Sequence, residues 1–521
     1  MAEYRKVSFL DDFELPTVTP DIVRQQLSKV GKIKSTTKKS PLDSMPLGDR
    51  LRYISSEVNK TLGRYKDFVK VIRDESEFNE YIDFAIKKGV IALDTETNNS
   101  LDPLTCKLMG LCLYIPNTKP VYVPVSHTKP NTDILLDNQV SLFCISEAFK
   151  KLLNSDIKII YHNGKFDIRV CYNVTGVYLP IWWDTMIAAQ LLNENELARL
   201  KYQYKVHVDP TVGTYNIEKL FTGLPYAWVD PDIFALYAAI DSYDTYVLQQ
   251  KQEEIMLSQD MKNLYKLFRE IEIPVVRVVA KMEDDGITLD LDYLNKLSRI
   301  YKERQEKCLN DLYDSLKPYK IQIDNYTRAG KLDDPINFDS SLQLSILLYD
   351  IMKMSNNDGR KSTDKETLES LDCDFTNLLL EYRHYTKMLS GFTESWPTYV
   401  SEKDNKIHAT FNQMGGEDRN VRTGRFSSTN PNLQQIPSHE GILRMAFKAS
   451  IDFNDVEVDN DTFSLKSCQE IQVISNGDVC WVFAEDLQVG NIILINDNNA
   501  DTYKQIYKLD KVDDTIIITI N

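Results

Sequence analysis

Two carboxylates close an apolar run in Val90-Ile91-Ala92-Leu93-Asp94-Thr95-Glu96-Thr97. Side chains two apart on a strand share a face, so this spacing projects Asp94 and Glu96 together from the end of a buried strand. Such a pair of hard oxygen donors suits Mg²⁺ or Mn²⁺, which take carboxylate and water and bridge to phosphate oxygens. A lone pair of this kind is more often a strand running out into a solvated acidic turn, so its company decides. A third carboxylate follows in Tyr161-His162-Asn163-Gly164-Lys165-Phe166-Asp167, where Asn163-Gly164 predicts a turn and then a helix. Asp167 falls on the first full turn of that helix, able to face back across the sheet end; alone it reads as an acidic residue favoured by a helix N-terminus. A fourth, Asp241, lies four residues after Tyr237 on a helix predicted over 232–250, so the two share a face. Ala238 and Ala239 between them let that helix approach the sheet closely. Asp184 and Asp244 read as solvated or capping carboxylates, and His162 and His207 as satisfied structural histidines.

Together Asp94, Glu96, Asp167 and Asp241, with Tyr237, make a set able to hold two divalent ions about 3.5–4 Å apart, clamping the attacking and leaving oxygens of a phosphodiester. The three segments resemble the three motifs of the proofreading 3′→5′ exonuclease superfamily, in the variant with tyrosine four residues before the last aspartate. That resemblance implies a ribonuclease H-like fold, with Asp94, Glu96 and Asp241 on a first metal ion and Asp94 and Asp167 on a second. It also implies that Tyr237 orients the attacking water and that Asn163 touches the terminal nucleotide. The family's Asp-Thr-Glu-Thr-x-Ser-Leu-Asp is here Asp94-Thr95-Glu96-Thr97-Asn98-Asn99-Ser100-Leu101-Asp102, one residue longer. Leu101 takes the place of the side chain that wedges the terminal base.

For these residues to meet, strands and helices must alternate. Strands are predicted at 90–93, 108–115 and 121–125, with turns at Pro103 and Pro116-Asn117, then a helix at 142–153 and a strand at 157–161. A sheet covered by helices is the economical architecture. At 521 residues and 42% apolar content the chain has room for about three domains of about 100–200 residues each. No apolar run approaches the ~20 residues that span a bilayer, and the N-terminus lacks a signal pattern, so a soluble protein without a membrane partner is expected. The eight cysteines form no C-x-x-C pair or Cys/His cluster, which argues against structural zinc and a disulfide framework. Of the net charge of −16, residues 451–521 contribute 14 acidic against 4 basic side chains, −10, leaving −6 for the rest. A modestly acidic body is compatible with a nuclease whose carboxylates are offset by bound metal ions. Residues 1–63, with Pro16, Pro20, Pro41, Pro46 and a basic run from Lys29 to Lys39, read as a flexible arm.

Beyond residue 255 the alternation gives way to helical spacing, with Leu294, Leu297, Tyr301, Cys308, Leu312 and Leu316 on one stripe, a pattern that is usually core. The stretches 272–287, 336–344 and 362–368 nonetheless resemble the thumb and its approaches in family A DNA polymerases. The sharpest phrase is Thr423-Gly424-Arg425-Phe426-Ser427-Ser428-Thr429-Asn430-Pro431-Asn432-Leu433-Gln434-Gln435-Ile436-Pro437. Its Gly, Ser and Asn permit an irregular backbone beside a duplex, and Arg425, Asn432 and Gln434 supply donors to phosphates and minor-groove acceptors. It is similar, nearly letter for letter, to the family A segment that grips primer and template, with Gln435 for the usual Asn and Phe426 for the usual Leu. Thr423, Arg425, Ser427, Asn432, Gln434 and Gln435 are the DNA-binding residues that this implies. The family's later Asp-Tyr-Ser, lysine-bearing fingers helix and His-Asp-Glu are absent from the 521 residues. Short β-rich runs at 471–474, 479–483, 492–495 and 515–520 follow instead, faintly resembling the Hint-like β-modules of inteins. The last histidine is His439, so the splicing Thr-x-x-His is missing and a non-splicing insertion is expected.

The sequence therefore reads as an α/β ribonuclease H-like exonuclease domain (64–255), a mainly α thumb and partial palm region (256–450), and a small acidic β-rich C-terminal module (451–521). The expected protein is the N-terminal half of a phage-type family A DNA polymerase acting in DNA replication, truncated or split within 515–520. Its cofactors would be two Mg²⁺ (or Mn²⁺) ions, and its partners DNA, as primer-template and as a single-stranded 3′ end, plus a second polypeptide carrying the rest of palm and fingers. Alone it would add no nucleotides. It would work in the cytoplasm, that of the host if phage-encoded. Two alternatives stand beside it: a free-standing RNA-trimming exonuclease of the same superfamily, which has no need of the 423–437 loop, and a non-catalytic DNA-holding subunit.

Overall fold

The computed structural model of the chain describes residues 45–211, 217–355, 361–415, 423–437 and 441–448, together with six strands and Leu487 within 462–520. Strands β1 (Lys70–Val71), β2 (Val90–Thr97), β3 (Leu108–Tyr114), β4 (Val121–Pro124), β5 (Lys158–Tyr161) and β6 (Trp183–Asp184) form a mixed sheet in the order β1-β4-β3-β2-β5-β6. β2 runs antiparallel to β3 and parallel to β5, so it lies at the junction between an antiparallel and a parallel half. All seven residues of β3 are buried, the signature of a strand covered on both faces.

Helices α1 (Leu47–Leu62), α2 (Glu75–Lys88), α3 (Leu142–Leu153), α4 (Gly164–Thr175), α5 (Thr185–Leu192), α6 (Leu200–His207) and α7 (Pro231–Met256) accompany the sheet. Phe78, Ile82, Phe149 and Ile168 from α2, α3 and α4 pack with Leu111 and Leu113 of β3 on one face. On the opposite face Cys112 and Tyr122 meet Ile54 and Val58 of α1 and Phe234, Ala235, Ala238 and Ala239 of α7. The alternation of Leu111 and Cys112 between these two cores is the period-2 geometry of a strand. The small residues expected to bring α7 close to the sheet are fully buried there. α7 itself is longer than the predicted 232–250, because Pro231 opens it and Asp230 caps it by accepting from Asp232 N at 2.8 Å.

The flexible arm expected over 1–63 is corrected at its end. Residues 47–62 are helical, and Ile54, Val58 and Leu62, at successive i, i+4 positions, are buried. The surrounding Arg, Glu, Asn and Lys residues dilute that stripe to a weak apolar signal in the sequence. The basic run from Lys29 to Lys39 lies outside the described residues.

The second part is mainly helical, including α8 (Ile273–Asp285), α9 (Leu291–Ser315) and α10 (Asp374–Met388). The expected α9 stripe of Leu294, Leu297, Tyr301, Cys308 and Leu312 is buried in one core with Leu379, Tyr385 and Trp396. Short strands close this part: β7 (Ile287–Leu289) pairs with β8 (Lys406–Ile407) and β11 (Phe447–Lys448), and β9 (Thr410–Asn412) pairs with β10 (Ser427–Thr429). The C-terminal strands β12 (Thr462–Lys466), β13 (Glu470–Ser475), β14 (Asp478–Phe483), β15 (Ile492–Asp497), β16 (Ala500–Val512) and β17 (Thr515–Ile520) form an antiparallel sheet in the order β12-β17-β16-β15-β13-β14. Four of these are the apolar runs read from the sequence. β12 and β16 went unread, the latter because charged residues interrupt its alternation.

A buried ion cluster joins the first part to the second. Glu283 of α8 accepts from Arg169 Nη1 at 2.5 Å and Lys165 Nζ at 2.6 Å, both on α4, and from Phe411 N on β9 at 2.6 Å. Lys165 also donates to Phe411 O at 2.7 Å, and Asp284 accepts from Arg169 Nε at 2.7 Å and from the Tyr178 hydroxyl. The Glu283 side chain is wholly buried and that of Arg169 is 5% exposed.

Candidate active site

β2 presents Asp94 and Glu96 on one face, and the antiparallel register sets Cys112 of β3 opposite Asp94 and Gly110 opposite Glu96. The ligand atoms of Asp94, Glu96 and Cys112 lie within 4.8 Å of one another. Gly110 is required at its position, since a Cβ there would fall 2.4 Å from the Tyr122 ring. Burial raises the Asp94 carboxyl well above the usual carboxylate range, and the charges of Asp167, Glu96 and Asp241 raise it further. Asp167, delivered by the first turn of α4, accepts from Thr95 N at 2.8 Å and Thr95 Oγ1 at 2.7 Å. Burial pushes it to about 7 in spite of those two donors. Asp241, one turn after Tyr237 on α7, is paired with the ammonium of Lys201 on α6. Burial works to lower that ammonium, but Asp241, Asp244 and Asp94 outweigh it and hold it above its ordinary value. The Tyr237 ring packs beside Phe221 and Phe234, with centroids 5.7 and 6.0 Å away. The four carboxylates singled out from the sequence thus share one electrostatic site.

The approach to α4 is shaped by its first residues. Asn163 is left-handed (φ 62°), and Gly164 lies so close to Tyr161 that a Cβ would come within 2.6 Å of the tyrosine Cβ. Asp184 stabilises this turn by accepting from Asn163 N at 3.1 Å and Gly164 N at 2.8 Å, while capping α5 through Met186 N at 2.9 Å and Ile187 N at 3.3 Å. The capping half of the expectation for Asp184 is met, but a solvated carboxylate is not what the structure has: Asp184 is buried, satisfied by four backbone donors. Asp244 is likewise buried rather than solvated, beside Lys201 and Tyr204 of α6. Its burial raises it to about 7 against the pull of Lys201.

His162 places Nδ1 2.8 Å from Thr185 Oγ1, and burial lowers it to about 3, so it is neutral; His207 pairs with Glu196 at 2.8 Å. Sequence reasoning passed over His127, a buried imidazole 2.7 Å from the Tyr122 hydroxyl and 3.0 Å from Val229 O, which ties β4 to the segment preceding α7. It also passed over Lys201, since a lysine on a short polar helix carries no sequence signal. The loop after β2 absorbs its added residue through a register shift at Glu96/Thr97 and a left-handed Asn99. Asn99 is clamped by Leu224 O at 3.1 Å and Tyr226 N at 2.9 Å, and Leu101 is left 87% exposed.

The 423–437 stretch is a separate surface. Ser427 starts β10, Asn432 accepts from Gln434 N at 3.0 Å, and Gln434 Nε2 donates to Phe426 O at 3.0 Å. Thr423, Arg425, Gln434 and Gln435 are exposed, and among the described residues Arg425 has no hydrogen-bonding partner. β10 pairs with β9, whose Phe411 belongs to the buried ion cluster, so this surface is joined to the helix that carries Asp167.

The raised carboxyls carry a pH prediction. Below about pH 4 Asp94, Asp167 and Asp244 are protonated folded or unfolded. As pH rises toward 7 the unfolded chain releases these protons while the folded chain retains them, so the three groups make the folded state progressively less stable. In EDTA, their contribution should lower the midpoint of thermal unfolding between pH 5 and pH 7.5, and Mn²⁺ should recover part of the loss. The drop should shrink in Asp167→Asn; an unchanged drop in that variant would contradict the assignment.

Comparison with known proteins adds a family. The description "3'-5' exonuclease" matches residues 69–257 and "DNA polymerase family A" matches residues 302–466. The chain is 31% identical over 397 residues to DNA polymerase I of Synechocystis sp., covering 72% of this chain and 36% of that protein. It is 27% identical over 460 residues to DNA polymerase I of Borreliella burgdorferi, covering 85% and 46%. A DNA polymerase of Bacillus phage SP01 is 26% identical over 429 residues, covering 69% and 44%. The chain thus spans less than half the length of these relatives. Among solved structures it resembles the POL domain of Pol1 from M. smegmatis in complex with DNA primer-template and dNTP, with a TM-score of 0.54 and 19% identity, covering 78% of this chain and 60% of that one.

Proposed function

This chain belongs to DNA polymerase family A and carries a 3′-5′ exonuclease domain, and on that premise we propose that it hydrolyses the 3′-terminal phosphodiester of DNA at the Asp94 cluster as the proofreading part of a replicative polymerase. The observation that carries this reading is the convergence of Asp94, Glu96, Asp167 and Asp241 in one partly buried site beside Tyr237. The donor set fits divalent cations: the Asp94 carboxylate accepts no hydrogen bond among the described residues, and four carboxylates exceed the single charge of Lys201. Asp94, Glu96 and Asp241 would hold one Mg²⁺ or Mn²⁺ ion and Asp94 and Asp167 a second, and such ions supply Lewis acidity to the phosphate and a nucleophilic water. Tyr237, fixed by its aromatic neighbours, orients that water, and Asn163 meets the terminal nucleotide.

Around this site we read a ribonuclease H-like domain over 64–255, a thumb and the start of a palm over 256–450, and a Hint-like module over 451–521. Leu101, at 87% exposure, is free to meet a terminal base. Thr423, Arg425, Ser427, Asn432, Gln434 and Gln435 are read as the grip on primer-template. No helix among the described residues is long and apolar enough to cross a membrane, and the cytoplasm is the compartment we assign. The comparisons lend no support to a second polypeptide, and they favour DNA over RNA as substrate. The test is a 5′-labelled single strand incubated with Mg²⁺: a ladder shortening from the 3′ end is expected on DNA, much slower on RNA of the same sequence, and intact DNA overturns the reading. Arg425→Ala should weaken binding to primed duplex by ~1–3 kcal/mol, and binding to single strands less. Equal losses in a fluorescence-anisotropy titration would make Arg425 an ordinary surface arginine.

A further inference from the structure

We propose that Lys201 is an internal cation of the carboxylate cluster, holding Asp241 before any metal binds and surrendering it when a divalent ion enters. The inference rests on the exonuclease reading of the same site and adds a residue to it. Lys201 comes from α6, an element that contributes no carboxylate to the cluster, yet its ammonium sits on Asp241. Its field also reaches Asp94 and Asp244, so one positive charge is shared among three acidic groups. Asp241 is one of the ligands a divalent ion would take, and ammonium and metal compete for its carboxylate, whose Oδ1 Lys201 now holds. The lysine can leave: its side chain is 47% exposed on a flexible four-carbon stem, against 21% for Asp241. A guest cation therefore finds the site already partly neutralised, and it must displace that charge to bind.

Two consequences separate this role from an ordinary surface ion pair. First, Lys201→Met, which keeps the stem and removes the charge, should bind Mn²⁺ more tightly, on the order of tenfold, because the competing charge is gone. Lys201→Arg should stay near the wild type. Second, the metal-free Met variant should unfold at a lower temperature than the wild type at pH 7.5, and saturating Mn²⁺ should close that gap, since in both proteins the metal then neutralises the carboxylates. Free Mn²⁺ counted by electron paramagnetic resonance gives the first readout, and calorimetry of the full chain with and without Mn²⁺ gives the second. Unchanged or weaker Mn²⁺ binding by Lys201→Met, or a stability gap that persists with Mn²⁺, overturns the proposal. If the wild type itself neither binds Mn²⁺ nor shortens single-stranded DNA, the exonuclease reading has failed and takes this proposal with it. A wild type that does both, beside a Met variant with unaltered metal affinity, removes Lys201 alone.

Discussion

Asp94→Ala should lower the rate of 3′-terminal hydrolysis at least about 10³-fold, equivalent to ~4 kcal/mol of transition-state stabilisation. No other carboxylate in the cluster is placed to replace it: Asp94 faces Asp167, Glu96 and Asp241 together, so its loss removes a ligand common to both proposed metal positions. The same change should raise the thermal stability of the metal-free protein, because it removes a buried carboxyl that its neighbours repel. That combination, lost turnover with a gain in metal-free stability, distinguishes a site residue from a structural one. Tyr237→Phe should be milder, since the ring keeps its packing against Phe221 and Phe234 and only the hydroxyl is lost. Digestion of a 5′-labelled single strand measures both variants, and undiminished cleavage by Asp94→Ala would sink the assignment.

Glu283→Ala should be among the most destabilising single substitutions in the chain, at ~3–5 kcal/mol. The cost comes from what is left behind: Arg169 and Lys165 lose their shared buried partner, and Phe411 N loses its acceptor. Glu283→Gln keeps the volume and one acceptor oxygen and should fall between the alanine variant and the wild type. Since two parts of the molecule meet here, the midpoint of thermal unfolding is the measure, rather than a two-state free energy. A shift indistinguishable from that of an exposed glutamate such as Glu254 would mean the cluster is not the joint described. Exonuclease activity should fall with stability, because α4 carries both Arg169 and Asp167.

Backbone periodicity made the local placement of the carboxylates legible in the sequence, and the resemblance to the three exonuclease motifs, rather than periodicity, assigned them their roles in one site. A strand sets Asp94 beside Glu96, a helix sets Tyr237 beside Asp241, and Asn163-Gly164 predicts a turn before Asp167. Residues whose importance depends on tertiary neighbours were not legible. Asp184 and Asp244 read as solvated or capping groups because burial of a polar side chain is decided by its tertiary neighbours, here the turn at Asn163 for Asp184 and Lys201 and Tyr204 of α6 for Asp244. Lys201 and Glu283 are ordinary surface letters until a helix from elsewhere in the chain brings their partners. Helix α1 was lost for the opposite reason: its three buried apolar residues are spread among charges, shortly after Pro41 and Pro46.

On the proposed function, the joint at Glu283 has a bearing on how a mispaired end is chosen for removal. Its charges are out of reach of mobile ions, so raising the salt concentration weakens the hold on DNA phosphates while leaving the seam between the two parts intact. With the strand of the proposed grip stitched to the helix that bears Asp167, the travel between grip and carboxylates falls to the nucleic acid. Each base step unstacked on that journey costs roughly 1.4 kcal/mol when correctly paired, and less beside a mismatch. On the proposed function the protein then needs no moving door to recognise an error. It acts as a fixed ruler between two stations, and the melting of the primer end supplies the judgement.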